Sequence, residues 1–268
     1  MPAKQKADAM HSIDVNALTK SANSVSSKFQ IIAPQTVQGP VLQGSFEMRC
    51  LRPGLVLHVS DAIDQYDLVT HSEQQPGLTL QIFLKGTVDA TVDGQPLMDR
   101  EMGADSNRPR ALIISRNKTS LLERRGHRGD HIRKVSLRVT SEWLSQSDWR
   151  HDEKGNAIDR FTRKHLAQHV WPPSPRLISL AELILEAAIS SAPMANLHLE
   201  SLALELLAES LKQLTPGTNG TSHTPLVAID QRRIRKVEQF LETCDGFTPL
   251  QEIAEATGLS ISTLQRLF

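Results

Sequence analysis

The chain has 268 residues with 30 basic and 30 acidic side chains, so its formal net charge is zero and a global basic field for nucleic acid is excluded. Its two cysteines, Cys50 and Cys244, lie far apart, which excludes a disulfide framework and a C-x-x-C zinc site. No apolar stretch approaches the roughly 18 residues of a membrane-spanning helix.

The N-terminus lacks the apolar segment of a signal peptide, which predicts a cytoplasmic protein without membrane attachment. Residues 1–40 are polar and lack sustained periodicity. They predict a loose polar arm with a first strand near KFQII.

Strand patterns dominate residues 41–140. In GLVLHVSD (54–61) apolar side chains occupy every second position, and LTLQIFLK (78–85), ALIIS (111–115) and IRKVSLRV (132–139) are further short strands. Asp93-Gly94 is a strong tight-turn dipeptide. Short strands separated by Gly, Pro and Asp predict an antiparallel barrel or sandwich.

Helical spacing replaces strand alternation over residues 141–214. PRLISLAELILEAAISS (175–191) and NLHLESLALELLAESLKQL (196–214) carry apolar residues at steps of three and four. Their apolar residues extend beyond one stripe, which leaves two alternatives: packing inside the chain or a dimer seam. The surplus of Leu favours self-association, so we expect a helical dimerisation segment and a homodimer.

Residues 215–229, beginning with TPGTNGTSHTP, have the composition of a flexible linker. Residues 230–268 then form a separate module with the pattern of a helix-turn-helix. Gly258 tolerates the positive φ of a tight turn between helices, and Ser260 is expected to cap the second helix. The residues expected in the helix-turn-helix core are Ile253, Ala254, Gly258, Leu259 and Leu264.

The outward positions of the second helix suit the major groove of DNA. Arg266 can bond guanine bidentately and Gln265 can pair with adenine. Arg232 and Arg233 precede them in a basic cluster, for which phosphate contact and a solvated helix face remain equal alternatives. The expected DNA-binding residues are Ser262, Thr263, Gln265, Arg266, Arg232 and Arg233.

The stretch LQEIAEATGLSISTLQRLF resembles the first helix-turn-helix of AraC/XylS-family transcription regulators. RPGLVLHVSD and LHLESLALELLAESLKQL resemble the subgroup related to the pyochelin-sensing activator. The resemblance implies that Ser262, Gln265 and Arg266 project into the major groove. It also implies an α+β protein: an N-terminal antiparallel cupin-like β barrel that senses a small molecule, then helices and the helix-turn-helix. By the subgroup resemblance alone, the effector to expect is a siderophore or its iron complex.

Members of that family carry a second helix-turn-helix, so we expect the DNA-binding unit to be incomplete, truncated after the first, and operator binding to be weak. The alternative function is a ligand-binding dimerising module without independent DNA binding. A cupin-type enzyme is the remote alternative. It is disfavoured because His58 and His71 are isolated and no H-x-H pair can converge on a metal. We therefore expect no catalytic residues, no metal and no cofactor.

Overall fold

The computed structural model describes residues 12–24, 28–34, 36–98, 108–146, 153–189, 194–214 and 248–261, with Val237, Phe240, Leu241, Thr263 and Leu264. The chain separates into two compact units, Met1–Thr215 and Pro216–Phe268. None of the described helices is both long and apolar enough to cross a membrane.

The strands of the first unit form two antiparallel sheets. The described strands are β1 (Ser12–Ile13), β2 (Phe29–Ala33), β3 (Leu42–Arg52), β4 (Leu55–Asp64), β5 (Leu68–Gln74), β6 (Gly77–Lys85), β7 (Asp89–Val92), β8 (Gln95–Pro96), β9 (Arg110–Arg116), β10 (Ser120–Gly126), β11 (His131–Thr140) and β12 (Gln168–Trp171). Sheet A has the order β1-β3-β4-β11-β6-β9-β12, and sheet B has the order β2-β5-β10-β7-β8.

The described helices flank these sheets or belong to the second unit. They are α1 (Val15–Asn23), α2 (Ser141–Ser145), α3 (Glu153–Arg163), α4 (Pro175–Ala188), α5 (Ala195–Leu211) with the 3-10 turn Lys212–Leu214, and α6 (Leu250–Thr257). Helix α4 begins where Ser174 accepts a hydrogen bond from the Leu177 backbone N–H at 3.3 Å, with Pro175 in the first turn.

The predicted α+β class is confirmed, but the barrel is not closed. No ladder of hydrogen bonds joins sheet A to sheet B among the described strands. The two sheets face each other across a cavity, and their edges are not joined. The body is therefore a two-sheet sandwich of the jelly-roll kind, the architecture that includes cupins.

The main apolar core lies between sheet A and the helix pair α4–α5. Leu57, Leu80 and Leu137, on three neighbouring strands, are at most 1% exposed. They share one cluster with Ile184 of α4 and Leu206 of α5, which are fully buried. This face of each helix therefore packs inside the chain, which is the first of the two alternatives that the sequence left open.

Two segments differ from the sequence expectation. The predicted polar arm (1–40) contains β1, which pairs with β3, and α1, which buries Leu18 and Ala22. One short helix with two buried residues leaves too weak a periodic pattern to be recognised. The predicted helical segment (141–214) contains the strand β12. This strand pairs with β9 at the edge of sheet A.

Candidate functional site

A cavity of about 150 Å³ lies between the two sheets of the first unit. A protein cavity of this size can hold a benzene-sized molecule. It is lined by side chains from α1 and from β2 to β6, β10 and β11. Its position between a seven-stranded and a five-stranded sheet gives it walls of regular, hydrogen-bonded backbone.

The alternation of side chains along the central strands of sheet A builds the cavity wall. On β4, Leu57 and Val59 join the main core while His58 and Ser60 line the cavity. The strands are in register so that Ser136 of β11 lies opposite His58 on one side and Gln81 of β6 on the other. Three polar side chains therefore form one row across the wall.

Basic side chains from both sheets enter the cavity. Arg124 of β10 donates to both carboxylate oxygens of Asp64, at 3.2 and 2.5 Å, and Asp64 is 1% exposed. Arg138 of β11 donates to the Gln74 amide oxygen at 2.8 Å. Among the described lining residues, Asp64 is the one carboxylate beside Arg124, Arg138 and Lys134. The lining thus combines apolar side chains with polar and basic side chains from both sheets.

Lys134 is the most deeply buried of these basic groups, with 9% of its surface exposed. Burial and, to a smaller extent, the nearby charge of Arg124 lower its pKa to about 7, while Asp64 opposes that shift. Its Nζ lies 5.7 Å from the centroid of the Phe83 ring. Its charge state therefore depends on what occupies the cavity near neutral pH.

His58 is held neutral in the same wall. Burial sets the pKa of its imidazole well below the ordinary value, and Lys134, Arg124 and Arg138 lower that pKa further. Its ring lies 4.6 Å, centroid to centroid, from the Phe46 ring at a tilt of 53°. His71, the other histidine considered from the sequence, pairs with Glu123 at 2.9 Å and does not line the cavity.

The residues that line the cavity are not among the site residues expected from the sequence. The segment 123–134 contains the turn that joins β10 to β11. The same segment also carries Arg124 and Lys134, which point inward. The available signal was the alternation in IRKVSLRV, where Lys134, Ser136 and Arg138 share one strand face.

The second unit contains a helix, a tight turn and the start of another helix. Gly258 is left-handed, with φ 64°, and the backbone N–H groups of Gly258 and Leu259 donate to Glu255 and Ala254. This pairing is a Schellman motif, which requires the positive φ that Gly tolerates. Ser260 then accepts from the Thr263 N–H at 3.1 Å, as an N-cap does.

The residues expected in the helix-turn-helix core lie together. Ile253, Ala254 and Leu264 are at most 8% exposed and form one cluster with Val237, against which Leu259 packs. Of the expected DNA-binding residues, Thr263 is described and partly exposed. Outside the described residues lie Ser262, Gln265, Arg266, Arg232 and Arg233.

In the described part of the chain, no group of three or more His, Cys, Asp or Glu side chains is arranged to hold a metal ion. The polar groups that converge in the first unit are the cationic and amide groups of the cavity. Their chemistry suits an organic ligand with hydrogen-bonding and anionic groups.

Sequence comparison connects the first unit with known regulators. Residues 43–228, more than half of the chain, match the family model described as the regulatory protein PchR N-terminal domain. No curated protein is significantly similar to the chain in sequence.

Two solved structures of ToxT from Vibrio cholerae resemble the chain weakly. An apo ToxT variant has 11% sequence identity and a TM-score of 0.33, with 82% of this chain and 94% of that chain covered. A second ToxT structure has 9% identity and a TM-score of 0.28, with 90% and 92% covered. At these TM-scores the likeness does not establish a shared fold.

Proposed function

The chain belongs to the family of regulatory proteins that carry the PchR N-terminal domain, which confirms the resemblance noted in its sequence, and we propose that it is a transcription regulator of AraC type. In this proposal the first unit senses a small molecule and the second contacts operator DNA in the cytoplasm. The observation that carries the sensing role is the cavity between the two sheets. Pockets that are mostly apolar with a few converging polar groups are the usual form of small-molecule sites.

The helix-turn-helix unit supports the DNA-binding role. The buried positions Ile253, Ala254 and Leu264 fix the faces of the two helices, so Thr263 lies beside a buried position and is partly exposed. We assign base contacts to Ser262, Thr263, Gln265 and Arg266, and phosphate contacts to Arg232 and Arg233. The family supports a regulatory role.

Self-association is proposed through the outward face of the α4–α5 pair. Leu197 and Leu204 of α5 are seven residues apart, 62% and 36% exposed, and Leu183 of α4 is 47% exposed. Apolar residues at this spacing lie on one helix face and suit a helix from a second copy. Light scattering should give the mass of a dimer, and the double variant Leu197→Glu/Leu204→Glu should give that of a monomer.

The regulator proposal is tested by selecting duplexes from a random-sequence DNA pool with the full chain at low salt. Low salt strengthens the phosphate contacts and reveals weak specific binding. We expect one sequence pattern to be enriched. Arg266→Ala should relax one base position, whereas Arg233→Ala should weaken binding to all sequences and reduce its salt dependence. Failure to enrich any pattern would favour the ligand-binding dimerising module instead.

A further inference from the structure

The cavity wall contains polar atoms that are buried without a partner. His58 Nε2 and Gln81 Oε1 are inaccessible to solvent and have no hydrogen-bond partner among the described residues. Both side chains line the cavity and lie on either side of Ser136 in the same cross-strand row. Buried polar atoms in folded proteins are nearly always hydrogen-bonded, so this row has hydrogen-bonding capacity left for a ligand; Gln81 Oε1 accepts and needs a donor group, whereas an anionic group is met by Lys134.

The cavity also holds a buried charge whose compensation is incomplete. Asp64 already forms a two-point ion pair with Arg124. Among the described residues, the ammonium group of Lys134 makes no hydrogen bond or ion pair, and its contact is with the Phe83 ring. An ammonium group removed from water requires a partner, and an anion entering the cavity would supply it.

Part of the cavity lining is apolar. Leu18 and Ala22 of α1, Ala62 of β4 and Leu68 of β5 are at most 4% exposed and line it. The Phe46 ring lies beside them against His58. A ligand filling this cavity therefore needs an apolar body as well as its polar group.

We propose that the cavity binds a small organic monoanion, an aromatic or aliphatic carboxylate or phenolate. Its charged group would pair with Lys134 beside the His58–Ser136–Gln81 row, and its apolar body would lie against α1. This inference rests on the proposed sensing function and specifies its ligand class. The size of the space admits one ring with a short charged substituent.

The test compares three probes of one shape and different charge: benzoate, benzamide and benzylamine. Isothermal titration calorimetry on the full chain at pH 6 keeps Lys134 protonated. We expect benzoate to bind at least tenfold more tightly than benzamide and benzylamine not to bind. Lys134→Met should remove the preference for benzoate and Lys134→Arg should retain it. Lys85→Met is the matched control, since Lys85 is an exposed lysine on the neighbouring strand β6, and it should bind as the parent chain does.

Three outcomes would overturn the inference. Equal binding of benzoate and benzamide would show that the cavity is a ligand site without anion selectivity, and the sensing proposal would stand. A benzoate preference that survives in Lys134→Met would remove Lys134 from the site. Binding of none of the three probes would overturn both the ligand class and the cavity as a sensing site.

Discussion

Lys134 shows how much a position within a sheet changes the chemistry of a side chain. On the neighbouring strand β6, Lys85 is exposed to water, whereas Lys134 is enclosed between two sheets. Because burial disfavours the charged form, the pKa of Lys134 falls from 10.5 to about 7. The protein therefore holds this charge at the expense of its own stability, as sites that bind ligands commonly do.

The first prediction concerns stability against pH in the absence of ligand. The pKa of Lys134 is lower in the folded than in the unfolded chain, so between pH 7 and about 10.5 the unfolded state binds more protons. The free energy of unfolding should then rise with pH in this window, by up to about 1.4 kcal/mol per unit from this group. Lys134→Met should remove that contribution and stabilise the protein by roughly 2–4 kcal/mol at pH 7.

Urea unfolding at pH 7 and pH 9, for the parent chain, Lys134→Met and Lys85→Met, measures this effect. Lys85→Met is the control and should keep the pH dependence of the parent chain. An unchanged pH dependence in Lys134→Met would show that the pKa of Lys134 is not lowered in the folded chain, so that Lys134 stays charged in the cavity over this pH range.

The second prediction concerns the ion pair between Asp64 and Arg124 in the cavity lining. Arg124→Ala would leave Asp64, which is 1% exposed, as a buried carboxylate without its partner. We expect a loss of roughly 3–5 kcal/mol in the free energy of unfolding. Replacing both members, as Arg124→Met/Asp64→Leu, should cost much less because neither charge of the pair is left buried without its partner.

The exposed pair formed by Lys28 and Glu73 is the matched control for this prediction. Lys28→Ala should cost below about 1 kcal/mol, since water screens surface pairs. Equal losses in Arg124→Ala and Lys28→Ala, measured by chemical denaturation, would contradict the structural role of the buried pair.

At the scale of elements, the helix pair α4–α5 is fixed to sheet A by ion pairs as well as by apolar packing. Arg133 of β11 contacts Asp61 of β4 at 3.0 Å and also pairs with Glu182 of α4. Arg49 of β3 donates to the Ala188 carbonyl at 2.6 Å, where α4 ends. Sheet A and the helix pair are therefore joined by ion pairs and a hydrogen bond as well as by apolar contacts.

The third prediction separates the two faces of α5. Leu206 is fully buried, whereas Leu204, two residues earlier, is 36% exposed. Leu206→Ala should lower the free energy of unfolding by roughly 2–5 kcal/mol because it leaves a cavity in the core. Leu204→Ala should cost far less in stability and should weaken self-association, measured by thermal unfolding and light scattering. A larger stability loss in Leu204→Ala than in Leu206→Ala would reverse the assignment of the faces.

At the scale of the whole molecule, the two proposed functions, ligand sensing and DNA binding, lie in different units of the chain. The first unit contains the cavity and the helix pair, and the second contains the helix-turn-helix. The N-terminal residues belong to the first unit, because β1 pairs with β3 and α1 contributes Leu18 and Ala22 to the cavity lining.

The fourth prediction concerns limited proteolysis of the full chain. The composition of residues 215–225 predicts cleavage there. The stable fragment should begin near residue 12 and not near residue 40, since residues 12–24 are paired and packed. Mass spectrometry of the fragments identifies both ends. A stable fragment that begins after residue 40 would show that α1 is not held on the body, and cleavage inside α4 or α5 would contradict the proposed linker.

Local chemistry in the sequence was sufficient for several features. Alternation along GLVLHVSD indicates which residues of β4 share a face, because successive side chains of a strand point to opposite sides. The three- and four-residue spacing in α4 and α5 predicts their buried stripes for the equivalent reason in a helix. Gly258 marks the turn because a residue with a Cβ is strained at positive φ.

Only the tertiary structure determines what packs against each face of a strand. The polar face of β4 and β11 has the pattern of a surface exposed to water, yet sheet B covers it and turns His58, Lys134 and Gln81 into a cavity lining. The covering strands β5 and β10 lie next to β4, β6 and β11 in sequence, but they pair in the other sheet, and no local pattern reports that the two sheets pack face to face. Burial, and with it the low pKa of Lys134 and the selectivity proposed for the cavity, arises only when the two sheets pack face to face.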